Sequence, residues 1–117
     1  MKARELLQLA LIVCAVTAAT GWWASKQHAL AGEAVAQAAK PGDIRMLSSQ
    51  TCGVCITARQ WFTEHRVPFT ECVIERDAAC RAEFQARGAS GTPLILVRGQ
   101  QQLGFSPEAI RARLAPG

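Results

Sequence analysis

The chain has 117 residues, of which half are hydrophobic, with 13 basic and 9 acidic side chains and five cysteines. This length accommodates one small domain. Residues 43–117 carry nine basic and seven acidic side chains in an interspersed order, which excludes the concentrated basic surface of a nucleic-acid-binding protein. We therefore expect no nucleic-acid partner.

An uncharged apolar run occupies residues 6–24 and ends close to two adjacent tryptophans. A helix of roughly 20 apolar residues crosses the hydrocarbon core of a bilayer, and tryptophan favours the membrane–water interface. Residues 1–24 are therefore either a retained transmembrane anchor or a cleaved signal peptide, for which Ala29 and Ala31 offer a small-residue cleavage site. Because the run exceeds the ~7–15 apolar residues of a signal peptide core, we favour the anchor.

The charges beside this run predict its orientation. Lys2 and Arg4 precede it and Lys26 follows it, so the positive-inside rule favours a cytoplasmic N-terminus. We expect a single-pass protein of the inner membrane whose remaining residues lie in the periplasm. The opposite orientation, with the domain on the cytoplasmic side, is the alternative.

Residues 25–42 are rich in alanine and include only two large aliphatic side chains, Leu30 and Val35. Such a composition does not supply a core, and Pro41-Gly42 would end any helix formed here. We interpret this segment as a tether, helical in part, and residues 43–117 as the folded domain.

The domain begins with a short run of alternating polarity, "DIRMLSS", which predicts a strand. After a pair of cysteines, apolar and aromatic side chains recur at intervals of three and four residues, which predicts a helix that ends before Pro68. The residues on its expected inner face are Val54, Ala58, Trp61, Phe62 and His65.

Three further strands and two helices follow. The composition of "PFTECVIE" predicts a strand without deciding which face is buried. Asp77 suits the N-cap of the next helix and Gly88 its left-handed C-terminus. The continuous apolar run "LILVRG" predicts a strand covered on both faces, and "QQLGF" a short neighbouring strand. Ser106 and Pro107 then open a last helix, which makes the order β-α-β-α-β-β-α.

Two motifs in this order are similar to motifs of a known protein family. Cys52-Gly53-Val54-Cys55 stands at a predicted helix start, and Gly91-Thr92-Pro93 immediately precedes a predicted strand pair. From residue 43 to about residue 114 the chain resembles glutaredoxins and other small thioredoxin-fold reductases. The resemblance implies an α/β, thioredoxin-like single domain behind the N-terminal transmembrane helix. It also implies that Pro93 follows a cis peptide bond beside the cysteines and that the backbone of Thr92 pairs with a bound substrate.

The first cysteine pair suits thiol–disulfide exchange. Unpaired N–H groups and the dipole at a helix N-terminus stabilise a thiolate, which indicates Cys52 as the nucleophile. Cys55, one turn later, is placed to attack a mixed disulfide and release the product. We therefore predict a dithiol–disulfide oxidoreductase without a cofactor, acting on protein thiols and disulfides and served by an unidentified electron donor.

Other interpretations of this pair exist. A Cys-x-x-Cys sequence is also half of a zinc site, and the cysteine spacing C-x2-C-x16-C-x7-C has a central gap close to that of zinc ribbons. The second pair is too widely spaced for such a site, so we predict no metal. A structural disulfide is a further interpretation. At the level of function, the alternative is a noncatalytic thioredoxin-fold module that binds a metal or a protein partner.

Cys72 and Cys80 allow three interpretations: two buried thiols, a structural disulfide between a strand and the next helix, or a second redox pair. In an exported domain, two thiols close in space tend to oxidise, which favours the disulfide.

The resemblance also bears on glutathione. Glutaredoxins hold this tripeptide with a basic residue three positions before the first cysteine and with a paired-glycine turn near the last helix. In this chain these positions hold Ser49 and Gly104-Phe105. We therefore expect weak binding of glutathione.

Overall fold

The computed structural model describes residues 2–115 and divides the chain into two compact units, Met1–Leu30 and Ala31–Gly117. The first helix, α1, extends from Ala3 to Ala38. Within the first unit it is exposed, and it is long and apolar enough to cross a membrane. The hydroxyls of Thr17 and Thr20 donate to the carbonyls of Val13 and Val16, at 2.9 and 3.0 Å, so these polar groups are satisfied inside the helix.

The second unit contains a four-stranded mixed sheet in the order β2-β1-β3-β4. Strand β1 pairs in parallel with β2 and antiparallel with β3, and β3 pairs antiparallel with β4. This arrangement confirms the predicted order and the thioredoxin-like fold. The elements are β1 Ile44–Ser48, α2 Gly53–Glu64, β2 Thr70–Val73, α3 Ala78–Ala86, β3 Leu94–Val97, β4 Gln100–Leu103 and α4 Pro107–Leu114.

Helices α3 and α4 begin at the predicted caps. The side chain of Asp77 accepts from the backbone N–H of Cys80 at 3.1 Å, and Ser106 accepts from Ala109 at 3.2 Å. Gly88, just after α3, has φ +67°, a conformation that glycine adopts without steric cost. Short polar side chains therefore begin two of the helices that cover the sheet.

The two central strands of the sheet, β1 and β3, are buried on both faces. On one face, α2 and α4 cover Ile44, Met46, Ile95 and Val97 with Phe62, Ile110 and Leu114. On the other face, Leu47, Leu94 and Leu96 pack with Cys80 of α3. Strand β3 contributes to both clusters, as its continuous apolar sequence predicts.

The expectation that residues 25–42 contribute nothing to a core is wrong for residues 31–39. Val35 is fully buried in the cluster that contains Phe62, and Ala31 and Ala39 are buried as well. The ring of His65 lies so close to Gly32 that a Cβ there would overlap it. Small residues allow this part of α1 to pack closely, so one valine suffices to fill the remaining space.

The inner face of α2 also differs from the prediction at one position. Cys55, Ala58 and Phe62 are buried, whereas the Val54 side chain is 50% exposed. Because successive helical residues are rotated by ~100°, a face centred on Cys55 and Phe62 turns Val54 toward solvent. Trp61 is half-buried at the edge of this face, with its ring 5.6 Å from that of Phe105.

Candidate active site

Cys52 is the N-cap residue of α2, with an extended backbone (φ −105°, ψ 105°), and it forms a disulfide with Cys55. The Cα atoms of the two residues are 5.2 Å apart. The backbone N–H of Cys55 points at Cys52 Sγ with an N···S distance of 3.0 Å. A thiolate formed at Cys52 on reduction would therefore meet an N–H donor and the positive end of the helix dipole.

The two sulfurs differ in accessibility. Cys55 is fully buried, whereas Cys52 is half-buried at the helix start. Val54 and Ile56, which follow Cys52 in the chain, are 50% and 48% exposed. Cys52 is therefore the more accessible of the two cysteines, and exposed apolar side chains follow it in the chain.

The structure brings Thr92 and Pro93 to the same edge of the sheet as the cysteine pair. Leu94 pairs with Leu47 in antiparallel register, so the start of β3 lies opposite the end of β1, which leads into Cys52. The peptide bond between Thr92 and Pro93 is cis, and the Pro93 ring is fully buried. Within residues 2–115 the backbone N–H and C=O of Thr92 make no hydrogen bond.

Cys72 and Cys80 form a second disulfide, which joins β2 to α3 with a Cα–Cα distance of 6.1 Å. Cys80 is 4% exposed and packs with leucines on the face of the sheet opposite α2. The structure therefore separates these cysteines from the Cys52–Cys55 pair. Among the three interpretations open from the sequence, the structure contains the disulfide.

A network of charged side chains beside the cysteine pair was not anticipated from the sequence. Arg59 of α2 donates two hydrogen bonds to the Glu71 carboxylate, at 2.7 and 2.5 Å, and the buried hydroxyl of Ser48 donates a third at 2.6 Å. The hydrogen bond from Arg59 lowers the pKa of Glu71 despite partial burial of the carboxyl. This network connects α2 to the edge strand β2 and compensates both charges.

A second carboxylate, that of Glu75, contacts the loop that leads into Cys52. It accepts hydrogen bonds from the hydroxyl of Ser49 and from the backbone N–H of Gln50, the latter at 3.2 Å. The hydrogen bond from Ser49 is the main cause of the lowered pKa of Glu75. The sequence offered no local signal for this contact, since Ser49 and Glu75 are 26 positions apart.

A cleft of about 380 Å³ lies between this loop, α2 and β2. It is lined by Ser49, Gln50, Ile56, Arg59, Glu71, Val73 and Arg76. Within residues 2–115, no group of three or more histidine, cysteine or acidic side chains is arranged to hold a metal ion.

Comparison with known families agrees with this geometry. The family model described as Glutaredoxin matches residues 44–101, a span from β1 into β4 that includes both cysteine pairs and Thr92-Pro93. These residues form a glutaredoxin-family domain. No curated protein matches the chain.

Solved structures show the same fold. A point mutant of a thioredoxin-like protein is 22% identical, with a TM-score of 0.55 over 62% of this chain and 99% of that one. A glutaredoxin from Archaeoglobus fulgidus is 15% identical, with a TM-score of 0.52 over 63% and 87%. A buckwheat glutaredoxin in complex with glutathione is 14% identical, with a TM-score of 0.51 over 76% and 90%. At these identities the likeness establishes the thioredoxin-like fold of the domain.

Proposed function

We propose that this protein is a dithiol–disulfide oxidoreductase that acts on protein thiols and disulfides. The observation that carries the proposal is the asymmetry of the Cys52–Cys55 pair at the start of α2. Cys52 is accessible at the helix N-terminus, and Cys55 is buried one turn later within bonding distance. Exchange through a mixed disulfide requires one reachable sulfur and one sulfur reserved for resolution.

In the reduced protein, exchange proceeds by two nucleophilic displacements at sulfur. The Cys52 thiolate attacks one sulfur of a substrate disulfide, so that a new S–S bond forms while the substrate bond breaks, and the departing thiolate takes up a proton. Cys55 then loses its proton and attacks Cys52 Sγ, which forms the Cys52–Cys55 bond and releases the second substrate thiol. Two electrons pass to the substrate, and an electron donor with two thiols returns the pair to the reduced state. The reverse sequence oxidises a substrate dithiol.

The surroundings of Cys52 support a polypeptide substrate. The backbone groups of Thr92 offer hydrogen bonds to an extended chain, as they do in the family this domain belongs to. Val54 and Ile56 add exposed apolar surface on the same helix as the cysteines. We assign Thr92 and Pro93 to substrate binding on this basis.

Glutathione fits this surface poorly. Ser49 supplies no cation for a glutathione carboxylate and instead donates a hydrogen bond to Glu75. Losing one charge-assisted hydrogen bond removes ~1.5–3 kcal/mol of binding free energy, or about one to two decades of affinity. We expect glutathione to reduce the Cys52–Cys55 disulfide more slowly than a thioredoxin-like dithiol donor at matched potential. A large advantage for glutathione would contradict this expectation.

A trapping experiment tests the function. The Cys55→Ala variant of the full chain retains the attacking thiol and lacks the resolving one, so mixed disulfides with natural partners should accumulate at Cys52. The matched control is the Cys52→Ala/Cys55→Ala double variant. Adducts that form equally in both variants, together with no reduction of insulin disulfides by the wild type, would refute the proposed activity.

For the location, we propose a single-pass inner-membrane protein with its domain in the periplasm. The apolar length of α1 and the excess of Lys2 and Arg4 over Lys26 support this orientation. Protease added outside intact spheroplasts should digest the domain. Full protection of the domain would place it in the cytoplasm.

A further inference from the structure

The Glu75 carboxylate is attached to the segment that carries Cys52. It accepts hydrogen bonds from Ser49 and Gln50, and the Ser49 carbonyl in turn accepts from the backbone N–H of Cys52 at 3.4 Å. Glu75 is exposed just beyond the end of β2, and its carboxylate contacts the loop that leads into Cys52. The hydrogen bonds favour the ionised carboxyl, which is therefore negative at neutral pH.

Neighbouring charges leave this carboxylate only partly compensated. Glu71, within β2, is paired with Arg59 through two hydrogen bonds and contributes little net charge. Arg76 attracts Glu75 electrostatically, yet within residues 2–115 its guanidinium lies in no ion pair. Glu75 is thus the carboxylate that is hydrogen-bonded directly to the loop leading into Cys52, and Arg76 is the cation that acts on it.

We propose that Glu75 is a specificity-determining residue of the exchange reaction. Its carboxylate disfavours substrates that carry a carboxylate beside the reacting sulfur and favours substrates that carry a cation there. This inference rests on the proposed function and adds a charge preference to it. For charges about 8–10 Å apart, Coulomb's law gives about a twofold effect on rate at the dielectric constant of water and about tenfold or more at the lower effective value near a protein surface, and added salt reduces the effect.

Alkylation of Cys52 tests the charge effect without requiring any enzymatic activity. Iodoacetamide is neutral and iodoacetate is anionic, and with either reagent the thiolate forms an S–C bond and displaces iodide. The measurement is the ratio of the two rates at Cys52, resolved by peptide mass spectrometry, in the full chain with Cys55→Ser in an uncharged detergent. Glu75→Gln keeps an oxygen acceptor for Ser49 and Gln50 and removes the charge. Glu64→Gln, at the opposite end of α2, is the matched control.

We expect Glu75→Gln to raise the iodoacetate rate relative to the iodoacetamide rate by about twofold or more at low salt. The gain should shrink in concentrated salt, and Arg76→Gln should shift the ratio in the opposite direction. An unchanged ratio in Glu75→Gln would overturn the inference. An equal change in Glu64→Gln, or an equal change for both reagents, would also overturn it, since the first indicates overall charge and the second a purely structural contact.

A second measurement connects this effect to exchange. Two mixed-disulfide peptides, identical except for aspartate or lysine beside the cysteine, are offered to the reduced wild-type chain and to the Glu75→Gln variant. The wild type should react faster with the lysine peptide, and Glu75→Gln should reduce that preference. Equal rates with both peptides in the wild type would overturn this inference, whereas no exchange with either peptide would overturn the proposed function itself.

Discussion

The two disulfides of the domain join chemically identical residues in opposite surroundings. The Cys52–Cys55 disulfide closes one helical turn at an open helix N-terminus, and one of its sulfurs is reachable from solvent. The Cys72–Cys80 disulfide joins a strand to a helix across a leucine cluster on the other face of the sheet. Access and a helix N-cap position therefore coincide at one sulfur of the first pair, that of Cys52. In the second pair they are divided, because Cys72 is half-buried on a strand and Cys80, in the first turn of α3, is buried among leucines.

The expected redox role of a cysteine pair therefore depends on the surroundings of each of its sulfurs. Backbone N–H groups at a helix start lower the free energy of the thiolate, whereas an apolar cluster raises it. We therefore expect reactivity at Cys52 and a contribution to folding stability from the disulfide of Cys72 and Cys80.

The most severe test of the comparison removes the two sulfurs of the first pair one at a time. Cys52→Ser should reduce exchange to the background rate, because the attacking thiolate is lost, while Cys55→Ser should retain attack and stall as a mixed disulfide. Insulin reduction and mixed-disulfide yield measure the two steps. The control is Cys72→Ala/Cys80→Ala, which should retain exchange. Equal activity in the wild type and Cys52→Ser would refute the assignment of the nucleophile.

Removal of the second disulfide should mainly affect folding. The chain-entropy model for a cross-link between cysteines eight positions apart gives about 2–3 kcal/mol of stability, so Cys72→Ala/Cys80→Ala should unfold at a lower denaturant concentration. Denaturant unfolding of the full chain in an uncharged detergent measures this loss. A large fall in exchange rate with unchanged stability would instead indicate that these cysteines take part in electron transfer.

A smaller loss of folding stability should appear at acidic pH, because an ion pair also connects α3 to the sheet. Glu83 accepts from Arg45 of β1 at 2.7 Å and pairs with Arg87 at 2.9 Å, and the hydrogen bond from Arg45 is the main cause that lowers its pKa from 4.5 to about 2. Folding therefore favours the ionised carboxyl. This stabilisation is complete above pH 4.5 and is lost as the pH falls toward 2.

Thermal unfolding between pH 6 and pH 2 should show this loss, and Glu83→Gln should be less sensitive to pH in the acidic part of that range. The control is Glu64→Gln, which removes an exposed carboxylate from α2. If Glu83→Gln follows the wild-type pH dependence throughout, the contribution of this pair to stability is negligible.

The smallest change is expected from Thr92→Val. The substitution preserves shape and leaves the backbone groups in place, so the exchange rate should fall by no more than about twofold if the backbone makes the substrate contact. Pro93→Ala should lower the exchange rate more, because it removes a fully buried ring just before β3. A greater loss in Thr92→Val than in Pro93→Ala would show that the threonine side chain is required.

Much of this protein is determined locally and is visible in the sequence. The apolar run of α1, the caps at Asp77 and Ser106, and the apolar β3 depend on short-range chemistry, so the element order could be predicted. The position of Cys52 at a helix start was predictable for the same reason. The resemblance carried by Cys52, Cys55 and Thr92-Pro93 then predicted the family, which the comparison confirms.

Only the tertiary structure decided which residues meet across the sheet. The sequence left the two faces of β2 undecided, and pairing with β1 turns Glu71 toward Arg59 and Cys72 toward α3. Val35 lies in a segment too poor in large side chains to predict a core, yet it is buried because alanines allow close packing. Glu75 reaches the Cys52 loop from a distant part of the chain, and such contacts have no local signature because they arise only when strands pair.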